Sequence, residues 1–246
     1  MGQKLNNYFL FIILLTSFFG FSQNEGVKPP VYPDYKGDSS YANFEKLRFD
    51  VARAQINLLK NGALLVRLKT NANTIAKLKA AGNIDLATQV EREANINNKK
   101  LMRAFLQNFT FCPVYFFNSE YSDSVKHKHL EGIFLDTNLI VNPTIVCKAD
   151  FYLIAERGGI YNSSLGIVKE SMANKSVETG TVFKEVFIVI KNRYFIQLHK
   201  PFPYFQKGLN KKKYGDYVET FDAHLANFYN RSKEFKLTPM LKEYVY

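Results

Sequence analysis

Hydrophobic residues recur at steps of three and four between Ser39 and Lys60, which predicts an amphipathic helix. The stretch is followed by Asn61 and Gly62, a pair typical of a helix C-terminus, because glycine readily adopts the left-handed conformation found there. The recurring positions are Phe44, Leu47, Val51, Ala54 and Leu58. We expect the face that carries them to pack against the rest of the protein.

The same criterion predicts further helices along the chain. One begins near Asp85, which can cap it, and ends near Asn108, after a shorter helical segment. Another begins at a sequence similar to a capping box, formed by Asp216 and Glu219. The apolar positions are Val90, Ala94, Leu101 and Phe105 in the former, and Val218, Phe221, Leu225, Phe228 and Tyr229 in the latter.

Two short apolar runs predict buried β-strands. They lie before and after the two helical segments that end near Asn108. They are residues 63–70 (ALLVRLKT) and the run Cys112–Phe117. A strand, a helical crossover and a second strand in this order favour a right-handed parallel unit.

Further strands are expected in the second half of the chain. From Gly132 to Glu156 the runs GIFLD, LIV, TIV and FYLIA indicate strands with tight connections. Residues 184–200 indicate a hairpin whose tip is Lys191-Asn192-Arg193. The predicted fold is α/β or α+β: a single globular domain over residues 39–246, with a mixed sheet of about five or six strands and flanking helices.

The N-terminal stretch, MGQKLNNYFLFIILLTSFFGFSQ, has the organisation of a secretory signal peptide. Lys4 is its only charge, and the segment from Tyr8 to Phe21 is mostly apolar. We expect cleavage near Ser22 and a periplasmic or secreted product of 224 of the 246 residues; an uncleaved N-terminal anchor is the alternative. Residues 23–38 hold three prolines without periodicity and predict an extended linker or arm.

The composition is that of a folded, basic protein. Hydrophobic residues make up 46% of the chain and aromatic residues 15%, which argues against disorder. The formal net charge of +11 favours polyanionic partners, or serves solubility alone.

Positive charge is concentrated from Lys184 to Lys213, where eight Lys and Arg residues accompany one acid and several aromatic residues. Cations and aromatic rings together bind anionic chains by charge pairing and stacking. The candidate binding residues are Lys191, Arg193, Tyr204, Lys207, Lys211, Lys212 and Lys213. The expected partner of an exported protein is an anionic envelope component, either a glycan or a lipid headgroup, or another envelope protein, whereas export disfavours nucleic acid. The alternative is that the aromatics belong to the core and the lysines to a solvated loop.

Cys112 and Cys147, the only cysteines, leave two alternatives open. In an oxidising compartment they can form one disulfide, closing a loop of about 35 residues and stabilising the fold by about 3–4 kcal/mol; otherwise they remain free buried thiols. A nucleophilic cysteine needs a lowered pKa, and the neighbours Phe111 and Pro113 offer Cys112 no base or cation. A thiol-dependent or hydrolytic enzyme that uses Cys112 with a histidine is therefore the alternative function.

The remaining patterns favour no catalytic residue, no metal and no cofactor. His127-Lys128-His129 shares one face only on a strand, and zinc needs further ligands. The segment RGGIYNSSLG, residues 157–166, lacks the glycine spacing of phosphate loops and nucleophile elbows. The acids in the middle of the chain show no spacing that selects a glycosidase pair.

The signal ending FGFSQ, with the strands LLVRLKT and FCPVYFF, resembles uncharacterised exported proteins of gram-negative bacteria of the Bacteroidetes type. The resemblance covers residues 1–120 and implies a periplasmic or outer-envelope location; it supplies no activity and no functional residue. The leading hypothesis is an exported, envelope-associated binding or scaffolding protein without catalytic activity.

Overall fold

A computed structural model of the protein describes residues 44–161, 183–208 and 213–245. The predicted signal peptide and linker, and the candidate residues Lys211 and Lys212, lie outside these ranges. One mixed sheet of five strands is flanked by helices, so the fold is α+β and the predicted class is confirmed. Within the described ranges, no helix has the length and apolar character needed to cross a bilayer.

The strand order of the sheet is β2-β1-β3-β4-β5. β1 (Ala63–Leu68) pairs in parallel with β2 (Val114–Asn118) on one side and with β3 (Tyr152–Tyr161) on the other. β4 (Phe183–Lys191) runs antiparallel to β3, and the short β5 (Phe205–Gln206) runs antiparallel to β4. The parallel pairing predicted for the first two strands is confirmed. The carboxyl ends of β1 and β2 therefore lie side by side, and β3 continues past them to Tyr161.

Six helices of the described chain surround this sheet. In chain order they are α1 (Phe44–Lys60), α2 (Ala72–Ala80), α3 (Ile84–Asn108), α4 (Ser122–Lys126), α5 (Tyr214–Asn230) and α6 (Lys242–Val245). The helices α2 and α3 form the crossover from β1 to β2.

Hydrophobic side chains pack on both faces of the sheet. Leu64, Val66 and Leu68 of β1 belong to the larger cluster, together with residues of α1, α3 and α5. Ala63 and Leu65 point to the other face and join a smaller cluster with α4 and the segment that follows it. Because β1 is covered on both faces, its sequence is a nearly continuous apolar run.

The buried face of α1 is rotated from the predicted one. Leu47 and Ala54 are buried as predicted, but Val51 and Leu58 are only half-buried. The fully covered positions further along the helix include Ala52, Ile56 and Leu59. Apolar residues occupy two overlapping stripes on this helix, and packing against the sheet selects between them.

Both predicted helix starts are displaced. The N-cap of α3 is Asn83, and Asp85 lies in the first turn, where its charge complements the positive end of the helix dipole. The N-cap of α5 is Lys213, and Oδ2 of Asp216 accepts a hydrogen bond from the Lys213 backbone N–H at 3.2 Å. Asp216 thus lies within the first turn of α5, where its side chain bonds to the N-cap residue, and is not itself the N-cap residue.

The runs GIFLD, LIV and TIV were predicted as strands, and that prediction is wrong. GIFLD and LIV contain only isolated bridges, such as that between Leu135 and Val141, and TIV contains neither a strand nor a bridge. Oδ1 of Asp136 accepts hydrogen bonds from the backbone N–H groups of Asn138 and Ile140, at 2.8 and 2.9 Å. These local bonds satisfy the groups that a strand would need for its ladder. The fourth run, FYLIA, contains the start of β3 as predicted.

The predicted hairpin after β4 forms only in part. Oδ1 of Asn192 accepts hydrogen bonds from the backbone N–H groups of Tyr194 and Ile196, which makes the expected turn. The returning segment makes one isolated bridge, from Gln197 to Lys191, and is not a strand. The ladder position beside β4 is taken by β5.

Candidate anion-binding site

Three charged side chains on neighbouring strands contact one another near the carboxyl end of β1. Arg67 on β1 and Glu156 on β3 are register partners, and Lys191 ends the neighbouring strand β4. Nη1 of Arg67 lies 2.7 Å from Oε2 of Glu156, and Nζ of Lys191 lies 2.7 Å from Oε1. Each carboxylate oxygen of Glu156 therefore pairs with its own cation.

The charge state of Glu156 follows from two opposing effects. Burial, with 5% of the residue exposed, raises the pKa of this carboxyl group. The charges of Lys191 and Arg67, and the hydrogen bonds that they donate, act in the opposite direction and bring the pKa below its ordinary value. Glu156 is thus an ionised carboxylate inside the fold.

Lys69, just beyond the end of β1, adds a third positive charge to this region. Its backbone carbonyl accepts a hydrogen bond of 2.9 Å from Nδ2 of the buried Asn98. Its Nζ lies 3.8 Å from the point that a Cβ on Gly158 would occupy. Within the described chain, no hydrogen bond or ion pair engages its ammonium group. The ammonium is therefore available to a ligand.

The pKa of Lys69 is lowered from its ordinary value. Desolvation is the largest cause, and the neighbouring charges of Arg67, Lys191 and Arg157 act in the same direction. Glu156 acts against them, because a nearby anion stabilises the ammonium form. Cations thus outnumber carboxylates around this side chain. An anion bound beside Lys69 would relieve their mutual repulsion.

Arg157 reaches the same region from a β-bulge. The pairing of β3 with β4 shifts register between Glu156 and Gly158, and bulges of this kind redirect a side chain. Nη1 of Arg157 donates a hydrogen bond of 2.8 Å to the hydroxyl of Tyr214, and that hydroxyl donates at 3.4 Å to Oδ1 of Asn97. The guanidinium is therefore positioned by the first residue of α5 and by α3.

Two adjoining cavities open at this edge of the sheet, and they share Arg67, Lys69 and Asn71. We call the cavity of about 220 Å³ the inner pocket; its polar lining consists of Arg67, Lys69, Asn71, Asn97, Asn98 and Arg157. We call the cavity of about 270 Å³ the outer pocket; its lining includes Arg67, Lys69, Thr70, Asn73, Ser119 and Glu120. The inner pocket is thus lined by three cations and no carboxylate.

The topology of the sheet accounts for the position of these pockets. From the carboxyl end of β1 the chain leaves through α2 and α3 toward β2, whereas β3 continues beyond this point, paired with β4 on its other side. The crevice beyond the carboxyl end of a parallel strand is where open α/β sheets bind ligands. The sequence signal for this site was the polar end of the run ALLVRLKT, which lies outside the basic stretch from Lys184 to Lys213.

Of the seven predicted binding residues, the five that the structure describes lie in different surroundings. Lys191 is engaged with Glu156, and Tyr204 is buried at 9% exposure, where burial also raises its pKa. Arg193 lies beyond the end of β4 and stacks on Tyr194. Lys207 follows β5 near the middle of β4, so about 13 Å of strand separates it from the end of β4, beyond which Arg193 lies. Lys213 caps α5 and is exposed, and Lys211 and Lys212 lie outside the described residues.

The two cysteines are free thiols on opposite faces of the sheet. Cys112 packs against the larger hydrophobic cluster and Cys147 against the smaller one, so the two thiols form no disulfide with each other here. Burial raises the pKa of Cys112 to about 12, even though Lys60 acts in the opposite direction. Lys60 and Asp222 are the charged groups that affect this pKa, and neither of them is a histidine.

The His-x-His pair lies at the end of α4 and not on a strand. The ring centroids of His127 and His129 are 6.3 Å apart, and Nδ1 of His127 lies 3.5 Å from a carboxylate oxygen of Asp123. Within the described ranges, His, Cys, Asp and Glu side chains form no group of three that would hold a metal ion. Comparison with known protein families, with curated protein sequences and with solved structures gives no match to this chain.

Proposed function

We propose that this protein is an exported binding protein of the cell envelope, which holds an anionic ligand in the inner pocket. The observation that carries the proposal is the lining of that pocket, which includes Arg67, Lys69 and Arg157 and no carboxylate, although Arg67 also pairs with Glu156 beside the pocket. Arginine pairs with phosphate, sulfate and carboxylate groups in a bidentate geometry, and lysine adds a mobile point charge. Amides from Asn97 and Asn98 supply neutral hydrogen-bonding groups beside them.

Binding accounts for these residues better than catalysis does. Arg157 is held by Tyr214, and Arg67 donates to both Glu156 and Ser122, so two of the three cations are positioned in advance. Preorganised charges lower the cost of ordering the site around a ligand. The thiol of Cys112, the nucleophile of the alternative enzyme, has a pKa of about 12, and a thiol in that state reacts slowly near neutral pH.

The envelope location belongs to the same proposal. It is supported by the signal-peptide organisation of residues 1–22 and by the net charge of +11 for the whole chain. Glycans and lipid headgroups at the cell surface carry phosphate and carboxylate groups, which are the groups that the inner pocket accommodates.

The test is titration calorimetry of the purified protein with inorganic phosphate and with sulfate, at low and at high salt. The double variant Lys69→Gln/Arg157→Gln removes two charges from the inner pocket. The control Lys212→Gln/Lys213→Gln removes two charges from the basic stretch near the C-terminus. Because a hydrogen bond to a charged group contributes about 1.5–3 kcal/mol, the pocket variant should weaken binding by roughly a hundredfold or more.

The control separates the pocket from general basicity. It lowers the net charge equally and should change the affinity by less than about threefold, since charge interactions through solvent over more than a Debye length are largely screened. If the control weakens binding as much as the pocket variant does, the ligand is held by the basic stretch and the proposal is wrong. Failure of the wild-type protein to bind either anion at millimolar concentration would refute it as well.

A further inference from the structure

The outer pocket differs in chemistry from the inner pocket, although the two share a wall. Its lining adds hydroxyl groups from Thr70 and Ser119, an amide from Asn73 and the carboxylate of Glu120. A carboxylate at this position repels a second anion but accepts hydrogen bonds from neutral hydroxyl groups. The outer pocket therefore suits the neutral, hydroxyl-bearing part of a ligand.

Local hydrogen bonds hold the carboxylate of Glu120 in place. Oγ1 of Thr70 donates to its Oε1 at 2.6 Å, and Oγ of Ser119 donates to its Oε2 at 3.3 Å. The hydroxyl groups of Thr70 and Ser119 also lie 3.0 Å apart. An ionised carboxylate has about four acceptor positions, and these two bonds occupy two of them. The remaining lone pairs can accept from a ligand.

The shared wall sets how the two parts of a ligand must be joined. Arg67, Lys69 and Asn71 line both pockets, so an anionic group beside Lys69 lies next to the outer pocket, with these shared residues as the wall between the two cavities. A ligand that fills both cavities thus carries its acidic group directly on a compact, polyhydroxylated body. Two separate anionic groups would place one of them against Glu120.

Resting on the proposed function of the inner pocket, we propose that the ligand is a sugar that carries one anionic group. Its phosphate or carboxylate lies in the inner pocket with Lys69 and Arg157, and its hydroxyl groups lie in the outer pocket with Glu120 and Asn73. A free sugar phosphate and a uronic acid unit of a glycan share this chemistry.

The experiment compares the affinities of the wild-type protein for glucose 6-phosphate, glucuronic acid, inorganic phosphate and glucose by titration calorimetry. Glucose 6-phosphate or glucuronic acid should bind at least about tenfold more tightly than inorganic phosphate, because two or more neutral hydrogen bonds of about 1 kcal/mol are added. Whichever of the two acids binds more tightly identifies the source as a free sugar phosphate or a glycan unit. Glucose alone should bind more weakly than either.

The variant Glu120→Ala gives the decisive readout. It should weaken binding of the acidic sugar by about tenfold and leave binding of inorganic phosphate unchanged or tighter, since a negative charge near the site is removed. A general structural effect would instead weaken both. The inference is wrong if inorganic phosphate binds as tightly as the acidic sugars, or if Glu120→Ala changes both affinities in the same direction. The proposed function would survive that result as long as phosphate binding still depends on Lys69 and Arg157.

Discussion

Replacement of Glu156 by glutamine tests the charge arrangement at the centre of the sheet. The substitution keeps the size of the side chain but leaves Arg67 and Lys191 without their shared counter-charge. Removal of one partner of a buried ion pair costs about 3–5 kcal/mol, because the remaining charge is buried and uncompensated. The side chains of Arg67 and Lys191 keep 23% and 19% of their surface exposed, so water recovers part of this cost.

We therefore expect Glu156→Gln to lower the free energy of unfolding by about 3 kcal/mol, the low end of that range. This corresponds to roughly a 150-fold change in the folding equilibrium, in a protein of this class whose total stability is about 5–15 kcal/mol. The assay is urea unfolding at pH 7 followed by circular dichroism. The midpoint should fall while the slope with denaturant stays unchanged.

The pH dependence of the same variant checks the cause. The pKa of Glu156 is lower in the folded protein than in the unfolded chain, where it is about 4.3. The stabilisation is therefore complete above that pH and is lost as pH falls through the folded-state value. The difference in stability between wild type and Glu156→Gln should therefore shrink as the pH falls below about 4.3, and vanish only below the folded-state pKa. The matched control is Glu131→Gln, an exposed carboxylate whose removal should change stability by less than about 0.5 kcal/mol.

Two outcomes would refute the reasoning. A loss below about 1 kcal/mol at pH 7 would mean that water solvates Arg67 and Lys191 as well as Glu156 does. A difference between the proteins that persists unchanged at acidic pH would mean that the loss comes from packing and not from charge.

Three further predictions concern other parts of the fold. Gly62→Ala should lower the free energy of unfolding by about 2–3 kcal/mol in the same urea assay, because its Cβ would lie 2.3 Å from the backbone oxygen of Phe151. A neutral result would show that the backbone of Phe151 lies farther from Gly62. Asp222→Asn should cost about 1–3 kcal/mol, since its carboxylate accepts three hydrogen bonds from Thr110 and Phe111; thermal unfolding measures this, and a loss no larger than that of Glu131→Gln would contradict it. The thiol of Cys112 should react with iodoacetamide at pH 8 about a thousandfold more slowly in the folded protein than in urea, because its pKa in the folded protein is about 12. Mass spectrometry measures both rates, and equal rates would favour the alternative of a thiol-dependent enzyme.

Local periodicity was sufficient for much of the fold. The helix that ends at Asn108 and the helix that begins near Asp216 were predictable because their apolar residues recur on one side over three or more turns. The strand Ala63–Leu68 was predictable because it is buried on both faces. The failures lie between residues 132 and 149, where Asp136 and its neighbours satisfy the backbone locally.

The candidate site was less predictable, because its residues are distant in sequence. Arg67 and Glu156 are separated by 89 positions, yet they face each other across two paired strands. The clustering of Lys and Arg along the chain favoured the stretch from Lys184 to Lys213 as the binding site. Among its described residues, Lys191 lies in an ion pair, Tyr204 in the core and Lys213 on the surface. Density of charge in sequence is therefore a poor guide to density of charge in space.

The sequence by itself determined the secondary structure of the long, periodic segments, the mixed sheet and the basic character of the protein. Tertiary structure alone decided where the charges meet. The strand order places β1 between β2 and β3, and a bulge after Glu156 separates Arg157 from its neighbour. Both depend on pairing between strands distant in sequence, which hydrophobic periodicity does not encode because it reports the environment of one segment at a time.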